Sequence, residues 1–187
     1  LEAVYIDKHI SLLDECRKGN RNAQFEIYKL YSRAMFNISL RIVNNPAEAE
    51  DVLQEAFLDA FTRIRDFRQE TTFGLWLKQI VINKSINCLR KRKLDLVSLN
   101  DVDVADDEDA DERDLQLQVE QIKQAVSKLS DGYRVVLTLY LFEGYDHQEI
   151  GEILNISENT SRSQYMRAKQ KLLRLLETKG EQDEHKN

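Results

Sequence analysis

Apolar residues recur at three- and four-residue spacing along almost the whole chain, and no convincing stretch alternates with the two-residue period of a strand. The pattern predicts an all-α fold. A first helix is expected over about Leu12 to Arg17. A second follows in residues 19–43, with Phe25, Tyr28, Leu30, Tyr31, Met35, Phe36 and Leu40 as its core side. The next start is marked by Asn45 as cap, Pro46 in the first helical position and Glu48 three residues after the cap. On that helix Val52, Leu53, Ala56, Phe57, Ala60, Phe61 and Ile64 share one face. A further helix, capped by Thr71 or Thr72, runs to about Arg92. Phe73, Trp76, Leu77, Ile80, Val81 and Ile82 spread around its first half, so neighbours must pack most of its circumference.

Residues 146–176 predict two helices joined by a tight turn. Asp146 is placed as a cap, with Glu149 three residues on as in a capping box. Ile150, Ile153 and Leu154 give the first helix an apolar side, and Gly151 leaves room for the second to come close. Asn155 suits the left-handed turn position, Ile156 fills the corner, and Ser157 caps the second helix. From Arg162 to Arg174 that helix carries Arg162, Arg167, Lys169, Lys171 and Arg174 with no acid among them. A capped helix with amides and cations at its exposed start suits a DNA major groove. An ordinary helical hairpin with a solvated basic face is the plainer alternative.

A net charge of −6 argues against nucleic-acid binding until it is divided along the chain. Residues 101–114 hold nine acids and one Arg, a net of −8, which leaves +2 for everything else. Such a run repels itself and predicts a flexible linker, with 1–94 and 115–187 as two small helical domains and 95–114 between them. The less favoured alternative is that the run mimics nucleic acid, lying in a basic channel of a partner or shielding the protein's own basic faces. Elsewhere, Asn83, Lys84, Asn87, Arg90 and Lys91 converge on one polar stripe, joining amides that bond bases to cations that neutralise phosphates. Phe67, Phe73 and Trp76 lie at the other end of that segment. They suit either stacking on unpaired bases or a core, and for Trp76 the core is favoured.

Leu58 is the anomaly of the 46–64 helix. It points away from the apolar face, among Asp51, Gln54, Glu55, Asp59 and Thr62. An isolated exposed Leu needs no explanation, yet an apolar anchor inside an acidic rim also fits a docking surface for a basic partner helix. Asp51, Glu55 and Asp59 fall on successive turns, but one face of one helix supplies too few converging metal ligands. Cys16 and Cys88 are far apart, the three His are scattered, and no phosphate loop or nucleophile motif is present. The expectation is a reducing, cytoplasmic protein without cofactor, zinc, disulfide or active site of its own, with no membrane span and no signal peptide. The tail after Leu176 reads as a frayed end without a further domain.

Taken in order, three segments resemble the extracytoplasmic-function (ECF) sigma factors of bacterial RNA polymerase. Residues 49–64 (AEDVLQEAFLDAFTRI) resemble the family's polymerase-binding helix. Residues 67–93 (FRQETTFGLWLKQIVINKSINCLRKRK) resemble the segment that melts and reads the −10 element, and 129–172 resemble the −35-reading domain. The resemblance implies that Asp51, Gln54, Glu55, Leu58, Asp59 and Thr62 meet core RNA polymerase. It implies −10 promoter contacts from Phe67, Thr71, Thr72, Asn83, Lys84, Asn87, Arg90 and Lys91, and −35 contacts from Ser157, Thr160, Arg162, Ser163, Gln164, Arg167 and Lys171. It also implies regulation by an anti-sigma factor. Three departures stand out: Ser161 where relatives carry an apolar residue, Gln164 where a basic one is common, and Ile82 where many carry Arg. A stand-alone helix-turn-helix regulator is the alternative function, and it leaves Leu58 and the 67–93 segment unexplained.

Overall fold

The computed structural model describes residues 8–96 and 114–184, with side chains through Lys93 in the first stretch and over 119–176 in the second. Every regular element among the described residues is helical. The chain divides into two compact units, Leu1–Arg92 and Lys93–Asn187. The acidic run expected as a linker lies outside the described residues except for Asp114, which opens a helix.

The first unit contains α1 (Ile10–Arg17), α2 (Arg21–Val43), α3 (Pro46–Thr62), a single 3-10 turn (Ile64–Asp66) and α4 (Phe73–Leu96), which runs past the unit boundary. Local chemistry sets the starts. Asn20 accepts hydrogen bonds from the Asn22 and Ala23 amides, and Asn45 accepts from Glu48 with Pro46 in the first helical position. Asn44 ends α2 in the left-handed conformation, φ 56°. Thr72 begins α4, its hydroxyl accepting from the Leu75 amide at 3.3 Å. The α3 arc predicted as apolar is the buried one: Val52, Leu53, Ala56, Phe57, Ala60 and, just beyond the helix, Ile64.

On α2 the expected core side is found buried at Met35 and half-buried at Tyr28, Tyr31, Phe36 and Leu40, and it is corrected at Phe25 and Leu30. The buried arc follows Ala23, Ile27, Met35, Ile38, Ser39 and Ile42, while Phe25 and Leu30 flank it at 59% and 51% exposure. The Lys29 ammonium lies over the Phe25 ring, 5.0 Å from its centroid. An aromatic cluster of Tyr31, Phe67, Phe73 and Trp76 closes one end of the unit, with centroids 5.4–5.7 Å apart. A buried Ser85 hydroxyl bonds to the Ser39 hydroxyl (3.1 Å) and donates to the Val81 carbonyl (2.8 Å), tying α4 to α2. At the other end, Arg92 donates to the Val43 carbonyl at 2.8 Å and pairs with Glu48.

The second unit contains α5 (Asp114–Ser127), α6 (Asp131–Leu141), α7 (His147–Leu154) and α8 (Glu158–Glu184). Val126, Leu129, Leu137 and Ala168 form its apolar centre, joined by Tyr133, Leu172 and Leu175. Buried Arg134 fastens the α5–α6 corner by donating to the Leu129 carbonyl (2.7 Å) and to Asp131 (2.6 Å). The capping box at Asp146 and Glu149 is complete. Asn155 is left-handed at φ 57°, and the Ser157 hydroxyl accepts from the Thr160 amide. α8 continues past Leu176 to Glu184 rather than ending in a frayed tail.

Gly151 accounts for the closeness of α7 and α8. A Cβ there would lie 2.8 Å from the Ile156 carbonyl oxygen, nearer than side chains approach backbone. Gly151→Ala gains about 1 kcal/mol of helix propensity. It should still show a net loss, since overpacking against fixed backbone costs about 1–3 kcal/mol. Denaturant unfolding of the full chain checks this, and equal or greater stability would contradict the close approach.

Candidate nucleic-acid and partner interfaces

The burial of one arc on α3 decides what the opposite arc presents. Leu58 stands outward at 69% exposure, with Asp51, Gln54, Glu55 and Thr62 also exposed and Asp59 half-buried. The Thr62 hydroxyl turns back to the Leu58 carbonyl, 2.8 Å away. The surface is thus one large apolar side chain among carboxylates and an amide.

α4 runs beside this face. Asn83, Asn87, Arg90 and Lys91 are exposed, and Arg90 reaches Asn87 at 3.4 Å. Lys84 behaves differently from the rest of the predicted stripe. Its ammonium is 2.9 Å from Asp59 and 3.5 Å from Glu55, so the structure joins a predicted DNA contact to two predicted polymerase contacts. The hydrogen bond that Lys84 donates to Asp59 foremost, then the charges of Asp59 and Glu55, raise the Lys84 pKa above its usual value against the opposing effect of burial.

Phe67 is corrected more sharply. It is 3% exposed and packed against Phe73 and Trp76, so its ring belongs to the core and is not free to stack on a base. Its carbonyl accepts from Arg17 at 3.1 Å. Thr71 is exposed and Thr72 half-buried in its capping role, beside Gln69 at φ 62°. Ile82 is buried in the core, so an apolar residue there follows from packing.

On α8, Ser161 and Ala168 are fully buried, and they fix the helix's rotation. At about 100° per residue, Asn159, Ser163, Met166 and Gln170 face away from the core, and all four are exposed. Thr160, Arg162, Arg167 and Lys171 are exposed on the flanks. Gln164 is corrected from an outward base reader to a rim position. It is half-buried, with its Oε1 3.8 Å from the place a Cβ would take on Gly132. Ser157 gives its hydroxyl to the Thr160 cap, and Arg162 is held by Glu158 at 2.6 Å. Arg167, Gln170, Lys171 and Arg174 line one open groove with Tyr133 and Leu175. Asn159, Met166 and Gln170 were missed from sequence; taking Ser161 and Ala168 as inward would have pointed to them.

Residues 27–94 match the family model of sigma-70 region 2, and residues 119–172 match that of sigma-70, region 4. The ECF RNA polymerase sigma factor SigW of Bacillus subtilis (strain 168) is 30% identical over 176 residues, spanning 88% of this chain and 94% of that protein. The chain belongs to the ECF sigma factor family. SigM of the same organism is also 30% identical, over 85% of this chain and 98% of its own length. Among solved structures, the sigma factor RpoE in complex with the anti-sigma factor NepR from Bartonella quintana shares the fold. Its TM-score is 0.60 at 22% identity, covering 81% of this chain and 95% of that one. CnrH in complex with the cytosolic domain of CnrY gives a TM-score of 0.53 at 23% identity, over 91% and 97%. This sigma factor therefore holds the promoter-directing regions 2 and 4, and it belongs to a family of initiation factors rather than of enzymes.

The Lys84 pair makes a prediction for the free sigma factor. Asp59→Ala removes both the hydrogen-bond acceptor that is the largest cause of the raised Lys84 pKa and its charge, so the variant's ammonium should titrate at lower pH than the wild type's. The pair's stabilisation is present below the ordinary lysine value of 10.5 and is lost as pH rises through the raised folded value. NMR of the lysine side chain follows both titrations, and coincident curves would mean that the pair does not persist in solution.

Proposed function

We propose that this sigma factor docks on core RNA polymerase through the outward arc of α3, with Leu58 as anchor and Asp51, Gln54, Glu55, Asp59 and Thr62 around it. The docked surface is the coiled coil of the largest polymerase subunit. Residues 1–94 form the polymerase-binding and −10 domain, 95–114 an acidic linker, and 115–187 the −35 domain. Asn83 holds an unstacked base of the non-template strand beside the loop at Thr71 and Thr72, while Asn87, Arg90 and Lys91 meet the backbone. Lys84 joins them on leaving Asp59. On α8, Arg162 and Ser163 read base edges with Met166 alongside, Ser157 and Thr160 present the capped helix start, and Arg167 and Lys171 meet phosphates. Gln164 contributes from the rim.

The observation that carries this reading is the presence of both matched regions in one chain, in order, with an exposed Leu58 on the first. A lone helix-turn-helix regulator has no use for region 2. The protein acts in the cytoplasm, where its polymerase is, and no described helix is long and apolar enough to cross a membrane. In the two similar structures RpoE is in complex with the anti-sigma factor NepR and CnrH with the cytosolic domain of CnrY, which supports a protein inhibitor for this chain too. The direct test combines the purified protein with core polymerase and sequences the transcripts that start. Defined start sites absent from core alone are expected, and duplex binding without initiation would favour the regulator reading.

Single substitutions separate these contacts. Leu58→Ala should weaken core binding by about 1–2 kcal/mol, the cost of truncating an anchor, with the melting temperature unchanged; unaltered affinity would remove Leu58 from the interface. Asn83→Ala should slow open-complex formation more than closed-complex formation, which footprinting at both stages resolves. Arg162 substitution should change which −35 sequences work, by roughly 1–3 kcal/mol if a bidentate contact is lost. Arg167 or Lys171 substitution should instead weaken all promoters about equally and lower the salt dependence. A promoter-library selection separates the two patterns.

A further inference from the structure

The helix-turn-helix contains a polar pair that the contacts above do not use. Ser161, one turn into α8, is fully buried, and His147, the first residue of α7, is 8% exposed. Ser161 Oγ and His147 Nδ1 lie 2.9 Å apart and share a hydrogen bond whose direction follows the imidazole tautomer. The ring itself is confined. Tyr140 of α6 stacks on it at 4.6 Å and 13° between planes, and Tyr165 of α8 meets it edge-on at 5.6 Å. Tyr140 and Tyr165 are in turn 4.5 Å apart. Three helices thus converge on one imidazole, and its Nδ1 is aimed at α8.

We propose that His147 and Ser161 form a positioning pair that sets the roll of α8, and thereby which −35 sequences this sigma factor prefers. The proposal rests on the reading of α8 as the −35 helix. Apolar burial is non-directional and tolerates small rolls of a helix, whereas a hydrogen bond is confined in both distance and angle. Side-chain tips ride about 5–6 Å from a helix axis, so a roll of about 10° moves a tip by about 1 Å. A shift of that size breaks a paired base-edge contact. It is absorbed by a flexible lysine or arginine reaching a phosphate. The pair therefore acts on discrimination between sequences rather than on overall affinity, and that separates a positioning role from a merely structural one.

The test uses the full-length sigma factor with core polymerase on promoters that differ only at the −35 element. Ser161→Ala removes the hydroxyl with little change of volume. His147→Phe keeps a ring on Tyr140 and removes Nδ1. Each should reduce the preference for the best −35 sequence over a single mismatch by about fivefold, the equivalent of one net hydrogen bond. The double variant should be no worse than either single one, as expected of residues acting together. Salt dependence and core binding should match wild type. If His147→Phe unfolds the second unit, Ser161→Ala carries the result alone. Unchanged −35 preference in Ser161→Ala, or losses that add in the double variant, would overturn the pair. Wild-type initiation that ignores the −35 sequence would overturn the underlying reading as well, and it shows before any variant is made.

Discussion

Each helix has a single circumference, and the arc it buries determines the arc it can offer. This constraint governs α3, α4 and α8 alike. Burial of Val52, Ala56 and Ala60 leaves Leu58 and its carboxylates outward on α3. Burial of Ser85 and Ile86 leaves Asn83 and Asn87 outward on α4, and burial of Ser161 and Ala168 turns Ser163 and Met166 out on α8. The functional faces are therefore by-products of core packing, and a change in core volume alters them without touching them. Ser39 with Ser85, and His147 with Ser161, show the same constraint met with hydrogen bonds rather than apolar contact.

What the sequence made legible was chiefly what is local. The Asn45 and Asp146 caps, the left-handed Asn155 and the close approach at Gly151 depend on residues a few positions apart, so spacing and residue type suffice to find them. The outward position of Leu58 followed from one short, regular helix. What was not legible depends on partners distant in sequence. Phe67 falls into the core because α4 folds Phe73 and Trp76 against it. Lys84 leaves the stripe because Asp59 and Glu55, on another helix, lie within reach. Gln164 sits at the rim because burial of Ser161 and Ala168 fixes the roll of α8 and turns it toward α6, where its Oε1 comes near Gly132. On α2 the error had another source: Phe25 and Leu30 were assigned inward on hydrophobicity alone, although the small and branched residues Ala23, Ile27 and Ile42 mark the buried arc.

Two cations on these faces are already paired in the free protein. Lys84 holds Asp59 and Glu55, and Arg162 holds Glu158. Such partly exposed pairs stabilise little, typically about 0–1 kcal/mol, so they oppose binding only weakly.

Arg92 has a mechanical consequence. It closes the first unit just before the chain departs, and it is fastened to the last carbonyl of α2 and to Glu48 in the first turn of α3. Any pull transmitted along the chain from Lys93 onward loads α4 along its axis. Through one guanidinium that load is shared with two further helices, so that the α4 turn ending at Arg92 is not peeled from the unit. The unit thus has a reinforced attachment point at the place where tension from the rest of the chain enters it.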